Sequence, residues 1–593
     1  MCGIVGYIGD KKAQPVLLNA LAKLEYRGYD SCGIAVSNGA LEVFKDAVRV
    51  NVLAKKLPPL DGKIGIGHTR WATHGGPSQK NAHPQADCSG KFAVVHNGTI
   101  SNYLELRQQL AAEGHRLVSE TDTEVIPHLI EKYFKGDFAA AVAKAVADLE
   151  GAYTMIALMA GGDKLVAARK DSPLIIGIGD RENYIASDVP ALLDYTSRVI
   201  YLEDGDIAVV TAKGVSITQD GKKIDREVHK ITWSVEDAQK GGYEHFMLKE
   251  IHEQPKVIRD TLAEYLSSAD AVADLGASGG SLEDILILAC GTSYHAGLIG
   301  KYIIEELVNV PVRVEIADEF TYGGQSSAKN KAIVLTQSGE TSDVLKAVRR
   351  LKEKGSRIIA ITNAVGSTVT RLADKTVYTR AGPEISVAAT KTYIAQLIAL
   401  YWLALPFARV DAGRFDSLMM SLRQLPVKVQ QILDNEQKIA GLAGALAGYE
   451  NVFFIGKGMN YPVALEGALK LKEISYVHAE GYAAGELKHG PFALLGEKTP
   501  VVAIVAQDAT HDAITTSIKE IKARHSPVIA VVHEGDDAIS GLADYTIAMP
   551  DIDPLFSPVV NSVALQLLAY YTAKARGCPI DFPRNLAKSV TVE

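Results

Sequence analysis

Cysteine is scarce in this chain of 593 residues: Cys2, Cys32, Cys88, Cys290 and Cys578 are the whole complement, odd in number and far apart. No CxxC pair occurs, so neither a zinc knuckle nor a dithiol redox centre is supported, and dispersed thiols suit a reducing compartment. An excess of basic charge is missing as well. Lys and Arg number 62 against 70 Asp and Glu, a formal net charge of −8. That leaves no electrostatic footprint for nucleic acid or for an anionic membrane, and neither is expected as a partner. The longest apolar run, Tyr393–Leu405, contains Gln396 and stops at Pro406; it is too short to span a bilayer and reads as a buried core helix. The first residues, MCGIVGYIGDKK, lack the basic-then-apolar layout of a signal peptide, so a soluble, cytoplasmic protein is expected. No GxxxxGK[ST] stretch occurs, and a nucleoside triphosphate is not indicated. What remains is ordinary for a globular protein of several domains, 47% apolar and 22% charged.

The pattern along the chain changes once. Up to about residue 235, short β-branched runs such as GIAVS, FAVVHNG and YTMIALMA alternate with Gly and Asp turns. This predicts antiparallel strands with a few helices, among them Asn102–Glu113 and Thr123–Phe134, the latter capped by Thr121 or Asp122. A polar, helix-prone stretch from Tyr243 to Leu262 then reads as a hinge, within a linker over 236–265. Beyond it, short wholly apolar strands alternate with helical segments, the pattern of a parallel sheet covered on both faces. Strand starts are predicted near Ile285, Ala332 and Ile358, and again near Val452, Val501 and Val528. The offsets between matching strands are 167, 169 and 170 residues. Matched spacing of this kind argues for a duplicated α/β domain, over 266–435 and 436–583, with a tail over 584–593.

Chemistry concentrates in a few segments. Removal of Met1 would leave Cys2 carrying a thiol nucleophile and a free amine base on one residue; otherwise it is a small residue in the first strand. Arg70, at a strand end, offers a planar fork suited to a carboxylate, or a surface ion pair. Asn97 and Gly98 offer an oxyanion site or simply a turn, and Asp122 a partner for an ammonium group or a helix cap. His68 and His74 are six apart in a loop-like run, without a metal-ligand spacing. In the duplicated half, Thr292 and Ser293 after one strand, and Gln337, Ser338 and Thr341 after the next, form either a phosphate cradle or helix caps. Lys470 and Glu473 share a helix face as a base beside a cation or as an ion pair. His489 sits in a Gly- and Pro-bounded loop, and Lys588 in the tail.

In the first half, MCGIVGYIG, EYRGYDS, GHTRWATHG, HNGTISN and SETDTE occur in order and resemble the class II glutamine amidotransferases, whose glutaminase domain is an αββα N-terminal-nucleophile hydrolase, expected here over 1–235. The resemblance implies that Cys2 attacks the glutamine amide and that Asn97 and Gly98 form the oxyanion hole. It likewise implies that Arg70 and Asp122 grip the α-carboxylate and α-amino groups. Trp71, Thr73 and His74 match positions around that pocket, and Arg27 a loop near the nucleophile. CGTSYHAG, QSGETSD, ISVAATKTY, LKLKEISYVHAEGYAAGELKHGP and RNLAKSVTVE resemble paired sugar-isomerase (SIS) domains. In that order, behind a glutaminase, they are similar to the glucosamine-6-phosphate synthase family.

That resemblance covers essentially the whole chain. It implies that Thr292, Ser293, Thr336, Gln337, Ser338, Thr341 and Val387 line a sugar-phosphate pocket. Glu473 would be the proton-transfer base, assisted by Lys470, and His489 the ring-opening histidine, shared across a homodimer. Lys588 would be the Schiff-base lysine, and Trp71 with the tail would gate a dry ammonia passage. The substrates implied are glutamine and fructose 6-phosphate, the products glutamate and glucosamine 6-phosphate. Proton transfer between C1 and C2 needs a base and an acid but no metal and no organic cofactor, and neither is expected. Thr336 and Ala389 stand where the family usually has Ser; the second loses a hydroxyl. Three alternatives are weaker. Another class II amidotransferase needs a phosphoribosyl or ATP motif that is missing, a phosphosugar sensor has no use for Cys2, and a deglycase has none for the glutaminase constellation.

Overall fold

The computed structural model describes residues 2–231, 239–267, 285–323 and 331–590. They form two compact units, one built from the first 231 residues and the other from residue 239 onward, with Glu340–Ser342 and the tail from Ala587 grouped with the first.

In the first unit two antiparallel sheets of eight and seven strands face each other. Their inward residues, among them Ile4, Ile66, Val95, Ile156, Leu165 and Ile185, form one buried layer. The seven-stranded sheet packs its other face on helices Tyr103–Ala112, Val125–Tyr133 and Phe138–Ala147 through Val94, Met155, Ile126, Leu129 and Val142. Helix Ala13–Ala22 lies on the eight-stranded sheet. This is the expected αββα sandwich. Strand Gly3–Ile8 is central, paired antiparallel with Ile64–Arg70 on one side and Asn183–Ala186 on the other. Residue 2 therefore stands where the sheet's middle strand begins.

Two local expectations are corrected. Helix Val125–Tyr133 starts after Glu124 and no side chain caps it. Asp122 instead accepts the Ile100 N–H at 2.9 Å, so its carboxylate faces the neighbouring strand. The stretch read as a hinge is folded where described, as helices Phe246–His252 and Gln254–Ser267. Met247, Ile251 and Ile258 belong to the second unit's core, because their spacing supplies an apolar stripe that a free linker would leave in water.

The second unit holds two five-stranded parallel sheets. The first runs Val312–Ile316, Ile285–Ala289, Lys331–Leu335, Arg357–Thr362, Lys375–Tyr378. The second runs His478–Ala483, Asn451–Gly456, Val501–Ile504, Val528–His533, Tyr545–Met549. In order of appearance each reads 2-1-3-4-5, so the duplication extends to topology. The predicted strand starts fall within one residue of those observed, since each strand is a buried apolar run preceded by at most one polar residue. Helices Lys391–Ala404 and Ser557–Ala575 are buried almost all round and join both repeats into a single core; Tyr401 OH donates to the Leu555 carbonyl at 2.5 Å.

Candidate active sites

Cys2, Arg70, Trp71, Thr73, His83, His96, Asn97, Gly98, Asp122 and Thr123 line one small cavity at the end of strand Gly3–Ile8. The thiol of Cys2 is held by the backbone of Trp71, whose N–H donates to Sγ at 3.2 Å. Burial pushes this thiol's pKa up; the Trp71 N–H and Arg70 pull it back. Asn97 Nδ2 donates to the Cys2 carbonyl at 2.9 Å, leaving the second amide proton for a substrate oxygen. Gly98 has φ +128°, and a Cβ there would sit 2.0 Å from the Ala152 carbonyl oxygen. Only glycine fits this close approach of two strands.

Arg70 is 3% exposed. Its Nη2 donates to the carbonyls of His74 and Gly75, while Nη1 is buried with no partner. A buried guanidinium nitrogen without a partner is costly unless an anion completes it. Asp122, also buried, lines the same cavity. His74 does not line it: its ring packs edge-on against Tyr103 and its carbonyl orients Arg70. Arg27 is buried on Asp188. Trp71 turns its ring edge-on to Tyr29, the centroids 5.8 Å apart.

Sequence reasoning missed the support beneath the cavity. His68 Nε2 lies 3.1 Å from Asn97 Oδ1 and 3.2 Å from His83 Nδ1, and His96 Nδ1 lies 2.9 Å from the Thr123 hydroxyl. Burial holds all three imidazoles below the ordinary histidine range, His68 down to about 3, so they are neutral struts. The motifs GHTRW and HNG contain two of them, but nothing in the pattern shows that they meet.

The second constellation joins the two SIS repeats. On helix Asn460–Ser475, Glu466, Lys470 and Glu473 share one face. Lys470 is 1% exposed and bonds Glu473, with Glu466 3.6 Å away. Burial alone would lower the Lys470 pKa; the two carboxylates outweigh it and hold the ammonium charged. Glu466 in turn accepts from the Thr292 hydroxyl at 3.1 Å and lies 2.7 Å from His295 Nδ1. Both come from helix Gly291–Val308 of the first repeat. Glu466 and His295 were not foreseen; the signal was in the spacing, one turn before Lys470.

The loops read as a phosphate cradle or helix caps follow two adjacent strands. Strands Ile285–Ala289 and Lys331–Leu335 are neighbours, at the point where the strand order reverses and loops diverge to opposite faces. Thr292 and Ser293 follow the first of these strands; Thr336, Gln337, Ser338 and Thr341 follow the second. Gly339 there has φ +66°, and a Cβ would lie 2.1 Å from Ser367 Oγ. The Thr336 hydroxyl accepts the Gly339 N–H at 3.2 Å, so Thr does the turn-holding that a Ser hydroxyl would. The Ser293 hydroxyl accepts from Gln396 at 3.0 Å. Val387 donates its N–H to the Asp581 carbonyl at 3.0 Å, and Glu250 accepts from the N–H groups of Ile385 and Ser386. The ISVAAT segment is thereby pinned by buried acceptors. His489 is exposed at the end of the short helix Ala484–His489, and Lys588 is half-buried in the tail.

A glutamine amidotransferase domain model matches residues 68–194, and a SIS domain model matches 282–406 and 445–575. Over the full length of both chains, this one is 49% identical to a glutamine–fructose-6-phosphate aminotransferase (isomerizing) of Caldanaerobacter subterraneus subsp. tengcongensis. It is 48% identical, again over all of both chains, to one of Methanosarcina acetivorans. The chain belongs to the isomerising glutamine–fructose-6-phosphate aminotransferase family. The C-terminal domain of such an aminotransferase from Francisella tularensis superposes with TM-score 0.54 at 35% identity, covering 58% of this chain and all of its own. A tagatose-6-phosphate ketose/aldose isomerase of Escherichia coli, at TM-score 0.50 and 16% identity over 57% of this chain and 95% of its own, shares the fold. The two constellations are a thiol-lined cavity in the first unit and a carboxylate–lysine cluster in the second. Among the described residues, no helix is long and apolar enough to cross a membrane.

Proposed function

We propose that this aminotransferase cleaves glutamine at Cys2 and uses the ammonia to convert fructose 6-phosphate to glucosamine 6-phosphate, releasing glutamate. The observation that carries the reading is the convergence of Cys2, Gly98, Arg70 and Asp122 on one cavity. With Met1 removed, the α-amine of Cys2 takes the thiol proton as sulfur attacks the amide carbon. Asn97 Nδ2–H and the Gly98 N–H stabilise the oxyanion. Arg70 Nη1 completes its bonding on the glutamine carboxylate, and Asp122 holds the ammonium. Loss of ammonia leaves a thioester that water hydrolyses to glutamate.

In the SIS half, the loop hydroxyls of Ser293, Ser338 and Thr341, with Gln337, hold the sugar phosphate. Ammonia condenses with the C2 carbonyl of the open-chain ketose, helped by the Lys588 amine, and Glu473 moves the proton from C1 to C2. Lys470, ion-paired with Glu473, holds that carboxylate in place. His489 opens the sugar ring in the neighbouring subunit of a homodimer, and the enzyme works in the cytoplasm. The test is product formation from glutamine or from an ammonium salt, with wild type and Cys2→Ala. Wild type is expected to use both and Cys2→Ala only ammonium. Glutamine hydrolysis without glucosamine 6-phosphate would overturn the substrate assignment.

A further inference from the structure

Outside both constellations, four side chains from three parts of the glutaminase unit bring their donor atoms close together. Cys88 follows the edge strand Gln85–Ala86, His115 follows helix Tyr103–Ala112, and His128 and Glu131 lie one turn apart on helix Val125–Tyr133. The sulfur of Cys88 is 3.9 Å from His115 Nδ1 and 3.5 Å from His128 Nδ1. The two Nδ1 atoms are 3.3 Å apart. Glu131 Oε2 lies 3.0 Å from His115 Nδ1 and 3.7 Å from His128 Nδ1. All four donor atoms fall within 4.8 Å of one another.

A tetrahedral zinc with bonds of about 2.3 Å to sulfur and about 2.05 Å to nitrogen separates its donors by about 3.6 Å (S to N) and about 3.3 Å (N to N). The Nδ1–Nδ1 separation of 3.3 Å equals the second figure, and the sulfur–nitrogen separations of 3.5 and 3.9 Å bracket the first. Protons satisfy such a cluster poorly, because each lies along one line between two atoms, whereas a central cation satisfies all four lone pairs. Two further observations point the same way. The Arg116 N–H donates to Cys88 Sγ at 3.2 Å, the contact that stabilises a metal-bound thiolate. His128 is also buried, so its ring does not trade this contact for water.

We propose that Cys88, His115, His128 and Glu131 bind one Zn²⁺ as a structural site. All four positions are filled by protein, so no place is left for a reacting water, and neither amide cleavage nor isomerisation runs through it. Its mechanical effect follows from the chain. The connection from His115 to His128 contains Asp122 and Thr123, both lining the Cys2 cavity. A metal that ties this connection to the sheet edge at Cys88 makes its ligands positioning residues for the glutamine clamp.

The test is metal content of the full chain purified without chelator, with a cobalt titration followed by absorption. One zinc per chain, or one cobalt with a thiolate-to-cobalt charge-transfer band, supports the site; Cys88→Ser is expected to abolish that band and weaken metal affinity about tenfold or more. A folded Cys88→Ser or His115→Ala chain is expected to show a raised glutamine KM with its ammonium-dependent rate unchanged. A wild-type chain that carries no zinc and takes up no cobalt overturns the proposal. So does stoichiometric metal unaffected by both substitutions. Neither the zinc content nor the cobalt band depends on which sugar the enzyme aminates.

Discussion

Arg70 shows how far one residue's environment reaches into function. Two of its bonds go to backbone carbonyls, and Nη1 points without a protein partner beside the thiol of Cys2. Arg70→Lys loses the fork geometry and with it about 1.5–3 kcal/mol of a charge-assisted bond. Glutamine KM is therefore expected to rise about 10- to 100-fold with ammonium-dependent synthesis unchanged, measured by steady-state kinetics with each nitrogen source. Gly98→Ala is expected to abolish glutaminase activity outright, since its Cβ would overlap the Ala152 carbonyl; a glutamine hydrolysis assay on folded protein checks it. Arg70 and Gly98 were legible as candidates from motif alone. The unpartnered nitrogen and the 2.0 Å approach were not, because both arise between segments far apart in the chain.

At the scale of elements, the helix Asn460–Ser475 and the histidine struts make separate predictions. Lys470 is buried between two carboxylates. Lys470→Met removes the cation between them and leaves like charges in a buried site, an expected loss of about 3–5 kcal/mol, read from denaturant unfolding of the wild-type and variant chains. His68 and His96 on glutaminase strands, and His83 just before one, have folded pKa values depressed by burial, His68 to about 3 against an ordinary value near 6.5. Their contribution is complete above about pH 6.5. As pH falls from there toward 3, the unfolded chain takes up protons that the folded chain refuses, so stability falls. The glutaminase melting temperature is expected to drop over that window, less steeply in His68→Asn, by differential scanning calorimetry. The GHTRW motif marked His68's neighbours as important, yet its strut role depends on the register that sets Ile64–Arg70 beside Gly3–Ile8.

The whole molecule tests where its units begin. Residues 246–267 look like a hinge when read for polarity, yet Met247, Ile251 and Ile258 sit in the second unit's core, and the Glu250 carboxylate accepts from the ISVAAT backbone. A chain starting at residue 239 is expected to fold and melt cooperatively. One starting at 266 exposes that core and is expected to aggregate; size-exclusion chromatography and circular dichroism of the two chains decide it.

What the sequence determined by itself was local or periodic. Apolar runs of five or six residues set strand positions to within a residue, matched offsets revealed the duplication, and short motifs marked Cys2, Arg70, Asn97, Gly98 and Glu473. Only the tertiary structure decided which groups meet. Glu466 joins Thr292 and His295 across two repeats, Asp122 serves a neighbouring strand instead of a helix end, and Cys88 meets His115, His128 and Glu131 at irregular spacing. The reason is physical. Burial patterns act along the chain and leave a period, whereas lone pairs and charges act through space and leave none.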